Sequence, residues 1–269
     1  MFSHMGWMRQ LDLTKRIVGV TASEITANIR ALNLYPFGFF QYRDSATPHP
    51  QFATNKRPIL FVHGVVHNSS AFIPLKRRMT DESWKNIFSF NYSTSHGSLT
   101  KMVDILARKV DEVVERTGSP QIDIVAHSLG GIISRYYMCV GSGRGRVHHL
   151  VTIGTPHQGT PMSFLLRMGL FGGLNSDLRS GSYVIRHLNE TALPRGARLT
   201  SIYSKYDLIA WGENCRVEGL PRKAFANHEI PDVGHLGLLY SAEAIHAVLL
   251  ALTAEDSSQL SVEQVDSLR

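Results

Sequence analysis

The sequence predicts an α/β fold: a mostly parallel sheet with helices on both faces. Three observations carry this. Short apolar runs at 59–62, 122–126 and 148–154 alternate with longer stretches of helical period, the pattern of successive βαβ units. The first of these, Ile59-Leu60-Phe61-Val62, is apolar throughout, as a strand covered on both faces should be. At Ile122–Gly131 a β-branched run stops at Ser128 and a helical pattern begins at once. That is strand, sharp turn and helix, with a hydroxyl displayed at the turn.

At 269 residues the chain can bury a full core, as one large α/β domain or two small ones. Hydrophobic content of 43% and charged content of 19% exclude a disordered chain. The net charge of +6 is spread over Lys76-Arg77-Arg78, Arg144, Arg146, Arg195, Arg198, Arg222 and Lys223. No run is long enough for a nucleic-acid footprint, so no nucleic-acid partner is expected. A solvated basic surface is the favoured reading, with a weak attraction to anionic membranes left open. The two cysteines, Cys139 and Cys215, form no CxxC pair, so a zinc ribbon is excluded and no metal site is expected. Cys139 falls in an apolar helix and reads as a small hydrophobe. Cys215 falls in a polar loop, and nothing demands a disulfide between them.

In chain order, residues 1–10 lack the apolar run and cleavage site of a signal peptide. Residues 11–34 read as a helix, with Val18, Ile25, Ile29 and Leu32 on one face. Glu24, Asn28, Arg30 and Asn33 make it too polar to cross a membrane, so a cytoplasmic or peripheral membrane-associated protein is expected. This helix either packs on the main domain or forms a surface that docks on a membrane or shields a site. Residues 1–56 are thus a helical extension and linker, with Pro48 and Pro50 in the linker. The main domain runs from 57 to 253 and a polar tail from 254 to 269. Strands are predicted at 59–62, 87–92, 122–127, 148–154, 198–204 and 224–230. Helices are predicted at 69–80, 99–116, 129–140 and 240–252. Residues 160–195 interrupt the rhythm with Phe164, Leu165, Met168 and Phe171 and read as a lid- or cap-like insertion that would line the substrate site. A mobile lid and a small packed subdomain are both open.

Ser128 sits in Ala126-His127-Ser128-Leu129-Gly130, close to the G-x-S-x-G elbow that lifts a serine Oγ clear of a sheet. A serine hydroxyl needs a base to act as a nucleophile, and the base needs an orienting carboxylate. Asp207 follows the predicted strand 198–204, ahead of Asp177 and Asp232 as candidate acid because strand-end placement and the chain order Ser, Asp, His favour it. His235 lies between the last strand and last helix, with Gly234 and Gly237 beside it. His157 comes too early in the chain, and His228 and His246 fall inside regular elements. His127 is expected to point away from Ser128 and shape the elbow. The oxyanion donors are expected to be the backbone N–H of Leu129, at a helix start, and of Val65, after the first strand.

These residues carry a resemblance. Phe61-Val62-His63-Gly64, Ala126–Gly131, Thr152-Ile153-Gly154-Thr155-Pro156-His157-Gln158-Gly159 and Val233–Leu239 resemble the small Bacillus-type lipases of the α/β-hydrolase superfamily, over about residues 57–252. Ser201–Ser204 before Asp207 fits as well. The resemblance implies an α/β-hydrolase fold and ester hydrolysis through a serine acyl-enzyme, without a cofactor. Two departures stand out. Ala126 replaces the first elbow glycine, and the N-terminal extension and the 160–195 insertion exceed a minimal lipase. The expected activity is a serine carboxylic-ester hydrolase, lipase or esterase, with an acyl ester or lipid as substrate and contact with a lipid interface possible. The rivals are an acyltransferase or thioesterase using the same three residues, and a non-catalytic binding protein on the same fold.

Overall fold

Six strands form one parallel sheet in the order β2-β1-β3-β4-β5-β6. They are β1 (Ile59–Val62), β2 (Ile87–Ser89), β3 (Ile122–His127), β4 (Val147–Ile153), β5 (Arg198–Tyr203) and β6 (Phe225–Glu229). The computed structural model describes residues 3–39, 57–94, 98–161, 174–221 and 224–254. Each pairing is parallel, with Leu60 level with Ile124, Val125 with Val151 and Ile153 with Ile202.

Alternation along the strands builds two cores from one sheet. Leu60, Val62 and Ile124 face α3 (Leu99–Thr117) and α4 (Leu129–Cys139), where they join Leu106, Val110 and Ile132. Ile59, Phe61 and Val125 point the other way, toward α2 (Ile73–Asp81) and the C-terminal helix, joining Phe72, Met79 and Val248. Both faces are covered, so the strands need no polar alternation. This is the packing the unbroken apolar runs predict.

The helix ends follow local chemistry. Ser98 caps α3 by accepting the Lys101 N–H at 3.3 Å, and Gly118 closes it at φ 67°, where a glycine carries no Cβ penalty. The predicted helix at 69–80 is two pieces, a 3₁₀ turn over Ser69–Phe72 and then α2. Asn68 accepts the Ser70 N–H, and Pro74 sits in the first turn of α2, where its missing N–H costs nothing. Strand β2 is shorter than the predicted 87–92. Beyond Ser89 the chain leaves the ladder, and Asn91 instead bonds the Gly38 carbonyl and the Ser69 N–H.

The insertion is only partly a separate feature. Its later portion forms α5 (Leu174–Leu178) and α6 (Tyr183–Glu190), and Leu174, Leu178, Ile185 and Leu188 are buried in the same core as α3 and α4. From Leu174 onward the insertion packs into the main core. Phe164, Leu165, Met168 and Phe171, the expected lid residues, lie outside the described residues. Buried Arg135 on α4 ties α6 down, donating to the Leu188 carbonyl at 3.0 Å and to Asn189 Oδ1 at 2.9 Å.

The N-terminal helix α1 (Ser3–Leu34) starts earlier than the predicted residue 11. It packs on the domain, but not with its apolar stripe. Ala27 and Ala31 are buried, whereas Val18, Ile29 and Leu32 are 63%, 55% and 74% exposed. The small side chains let the helix approach closely, and the large ones face outward. Helix α7 (Ala242–Thr253), capped by Ser241, closes the described fold. Cys139 and Cys215 are both free and buried, Cys215 at the end of a short 3₁₀ turn. Among the described residues no helix is long and apolar enough to cross a membrane.

Candidate active site

The strand order reverses beside β1. From β1 the chain goes outward to β2, then returns to the other side of β1 as β3. A crevice opens at such a switch point, beyond the carboxyl ends of the strands. The loop after β1 carries Val65, and the turn after β3 carries Ser128. Both line a cavity of about 560 Å³, a volume ordinary for a small-molecule site.

Ser128 adopts φ 53°, ψ −125°, a conformation that a residue with a side chain enters at a cost of roughly 1–3 kcal/mol. The surroundings hold it there. Its N–H donates to the Ile153 carbonyl at 2.9 Å, and its own carbonyl accepts the Thr155 hydroxyl at 2.9 Å and the Gly131 N–H at 3.0 Å. A Cβ on Gly130 would overlap the Val62 and His63 carbonyls, and one on Gly131 would overlap the Thr155 hydroxyl. The two glycines therefore let α4 begin directly against β1 and the loop after β4. Ala126, in place of the elbow's first glycine, is fully buried with its methyl inside the core.

Asp207 and His235 meet at the other side of the cavity. His235 Nδ1 lies 2.6 Å from Asp207 Oδ2, and both side chains are almost wholly buried. A carboxylate only accepts, so Nδ1 carries the proton and Nε2 is left as the basic nitrogen. The second carboxylate oxygen accepts the Ile209 and Ala210 N–H groups at 2.9 and 2.8 Å, which fixes the carboxylate plane. Burial pulls the His235 pKa down, but the Asp207 carboxylate and then Glu24 more than offset this, and the net shift is upward. Asp232, the competing acid, is half exposed and pairs with Arg16 at 3.8 Å. Asp177 lies on α5 with its carbonyl accepting the Ser182 hydroxyl.

Val65 and Leu129, the expected oxyanion donors, both line the cavity next to Ser128. The loop carrying Val65 is braced from behind. Tyr92 donates its hydroxyl to the His63 carbonyl, His63 Nδ1 bonds the Gly64 carbonyl, and Val66 N–H donates to Thr94. Burial lowers the His63 pKa to about 4, so the ring is neutral and can also accept the Tyr92 N–H.

His127 departs from expectation. It lines the cavity, and its ring centroid lies 4.7 Å from that of His235. The expectation weighed only the local turn, whereas the ring sits among side chains brought in by the loops after β1 and β6, His67 and His235. His157 is structural: it accepts from Arg135 at Nδ1 (3.3 Å) and bonds Thr152 Oγ1 through Nε2 (2.9 Å).

The sequence left α1 between packing on the domain and shielding a site, and did not single out the residues that do so. Asn28, Ala31, Leu32 and the following Tyr35 form one wall of the cavity. Glu24 accepts the N–H groups of Leu236 and Gly237, each at 2.9 Å, immediately after His235. A separation of 212 residues leaves no local signal for that contact. Among the described residues, no group of three or more His, Cys, Asp or Glu is placed to hold a metal ion.

Residues 29–169, just over half of the chain, match a family model described as Domain of unknown function (DUF7379). The chain belongs to this family. The matched span of this DUF7379 chain includes Val65 and Ser128 and ends before Asp207 and His235. Among solved structures it is similar to the mature Bacillus licheniformis lipase BlEst2, with 18% identity, a TM-score of 0.58, and coverage of 78% of this chain and 97% of that one. It is also similar to Aspergillus fumigatus lipase B, with 17% identity, a TM-score of 0.61, and coverage of 82% and 59%. A Paleococcus ferrophilus monoacylglycerol lipase matches at 16% identity and a TM-score of 0.55, covering 72% and 93%. A curated relative, lecithin-cholesterol acyltransferase-like 4 of Arabidopsis thaliana, is 28% identical over 83 residues. That match spans 30% of this chain and only 16% of the relative's length. The parallel sheet, its flanking helices and these neighbours together make the fold of this DUF7379 chain an α/β-hydrolase fold.

Proposed function

We propose that the protein is a serine carboxylic-ester hydrolase of the lipase or esterase type, with Ser128 as nucleophile, His235 as general base and acid, and Asp207 as the residue that orients His235. The observation carrying this reading is the buried 2.6 Å contact of His235 with Asp207 on the cavity that also holds strained Ser128. Ser128 Oγ attacks the ester carbonyl as His235 Nε2 takes its proton. The oxyanion that forms is held by the N–H groups of Val65 and Leu129. His235 returns the proton to the leaving alcohol, and water then resolves the acyl-enzyme by the same route.

An apolar acyl chain suits the cavity, whose walls include Ala31, Leu32, Leu178 and Ala210. Large apolar side chains also stand exposed at its mouth: Leu32, Val66 and Ile209 line it, and Leu208 and Trp211 lie beside it in the chain. Such a rim suits a substrate drawn from a lipid surface, with the outward stripe of α1 extending it.

The test is turnover of a p-nitrophenyl ester series of increasing chain length, below and above the solubility limit. Wild-type protein is expected to hydrolyse the series, and Ser128→Ala to lose turnover by several orders of magnitude. Unchanged turnover in Ser128→Ala would sink the reading. An acyltransferase acting through the same residues is favoured only by the partial match to the acyltransferase-like relative. It would show as acyl transfer to an added alcohol outpacing hydrolysis.

A further inference from the structure

We infer that Glu24 is a positioning residue for the proposed base: the N-terminal helix reaches across the molecule and fixes the His235 loop through the backbone N–H groups of Leu236 and Gly237. The inference rests on the reading of His235 as the base.

The loop needs such an anchor. It leaves β6 through Asp232, at φ 54°, and enters a 3₁₀ turn at Gly237–Leu239. Leu236, which starts that turn, has no side chain able to accept the N–H groups there. On the other side of His235, the Ser204 hydroxyl holds the Val233 carbonyl at 2.7 Å. Glu24 supplies the missing half. Each carboxylate oxygen takes one N–H at 2.9 Å, and a charged acceptor strengthens both bonds. The fit is close: a Cβ on Gly234 would overlap the Glu24 carboxylate, and its three nearest neighbours are all Glu24 atoms.

The 3₁₀ turn that follows this helix, Tyr35–Gly38, is anchored to the loop that carries Val65 and to the segment after β2. Asn68 Nδ2 donates to the Tyr35 carbonyl at 2.9 Å, and the Ser69 hydroxyl and Asn91 Nδ2 both donate to the Gly38 carbonyl. The helix and the turn after it thus set the spacing between the loop of the base and the loop of the expected oxyanion donor. Two ionisable groups raise the His235 pKa, Asp207 after β5 and Glu24 from α1, while His127 at the end of β3 and His67 in the loop after β1 in turn feel the His235 charge. Only Asp207 and Glu24 carry negative charge.

The experiment combines kinetics with direct titration of the His235 imidazole by NMR in Glu24→Ala, Glu24→Gln, Gly234→Ala and the Glu24→Ala/Gly234→Ala double variant. Kcat is taken per active site, counted with a serine-reactive phosphonate. Glu24→Ala is expected to lower kcat about 10- to 100-fold, the scale of a misplaced catalytic group, with a much smaller change in KM. Its His235 titration is expected to move to lower pH, because a negative charge is lost. Glu24→Gln, which keeps one accepting oxygen, should fall between Glu24→Ala and wild type in kcat. Gly234→Ala should impair the otherwise wild-type protein but add nothing in the Glu24→Ala background, where the overlap is gone. A Glu24→Ala protein with wild-type kcat per site and an unmoved His235 titration overturns the inference. So does a Gly234→Ala effect of equal size in both backgrounds. The imidazole titration reads the contact without turnover, so a failure of the ester-hydrolase reading, seen in Ser128→Ala, stays distinguishable from a failure of this one.

Discussion

At the scale of single residues the site depends on His235 being neutral at Nε2 while Nδ1–H is held by Asp207. The upward shift of the His235 pKa has a definite sign. The imidazolium–Asp207 pair contributes stability in full below about pH 6.5 and loses it as pH rises through the higher folded-state value. Under the proposed mechanism catalysis runs the opposite way, since His235 as base must be unprotonated. We therefore expect kcat/KM to fall on the acid side with a midpoint above that of an unperturbed histidine, read from a pH–rate profile. Asp207→Asn should lower kcat by roughly four orders of magnitude, because the amide no longer fixes the tautomer. It should also move the acid limb to lower pH. If Asp207→Asn kept wild-type kcat, the choice of acid would be wrong. Ser128 is legible in the sequence because it ends a strand just before a glycine pair, and His235 because it lies in the glycine-flanked loop between the last strand and the last helix. The placement of His127 beside His235 is not legible, because it depends on how the carboxyl end of β3 and the loop after β6 meet in space.

At the scale of elements, the elbow is a tight junction. Its cost is visible in what the helix start excludes. Gly130→Ala or Gly131→Ala would force a methyl into the Val62 carbonyl or the Thr155 side chain. Overpacking of this kind costs about 1–3 kcal/mol, so thermal denaturation should show a lowered Tm for either variant. An unchanged Tm for both would mean the junction is looser than its geometry indicates. The strands and most helices were predictable because continuous apolar runs and 3.6-residue periods have a single packing solution here. Helix α1 was predictable as a helix but not in its orientation. Periodicity identified the Val18, Ile25, Ile29 and Leu32 stripe, whereas Ala27 and Ala31 make the contact. Small residues on a helix give no hydrophobic signal, yet they allow the closest approach. Glu24, beside them, is for the same reason indistinguishable in sequence from a solvated carboxylate.

At the scale of the whole molecule, the two ends of the sheet do different work. The carboxyl ends hold the site. At the other end Asp123, the second residue of β3, is buried against Arg57 Nε at 3.0 Å and His148 Nδ1 at 3.3 Å. Burial pushes the Asp123 pKa up, but His148 and Arg57 outweigh it, and the net shift is downward. Its stabilisation is therefore present above about pH 3.8 and is lost as pH falls through the lower folded-state value. Asp123→Asn should lower Tm at neutral pH while leaving kcat/KM close to wild type, and the Tm difference should shrink in acid. A loss of activity as large as that of Asp207→Asn would contradict this division. The fold class was readable from the alternation of strands and helices. The cavity was not, because its walls come from α1, the loop after β1, α5 and the segment after Asp207, brought together only by the sheet.

Covalent labelling reads whether Ser128 is an activated nucleophile. The protein is incubated with an aryl alkylphosphonate ester, and the product is read by intact mass and peptide mapping. One phosphonyl group per chain is expected, on Ser128, absent in Ser128→Ala and formed far more slowly in His235→Ala. No adduct, or an adduct on another residue with Ser128 unmodified, would contradict it.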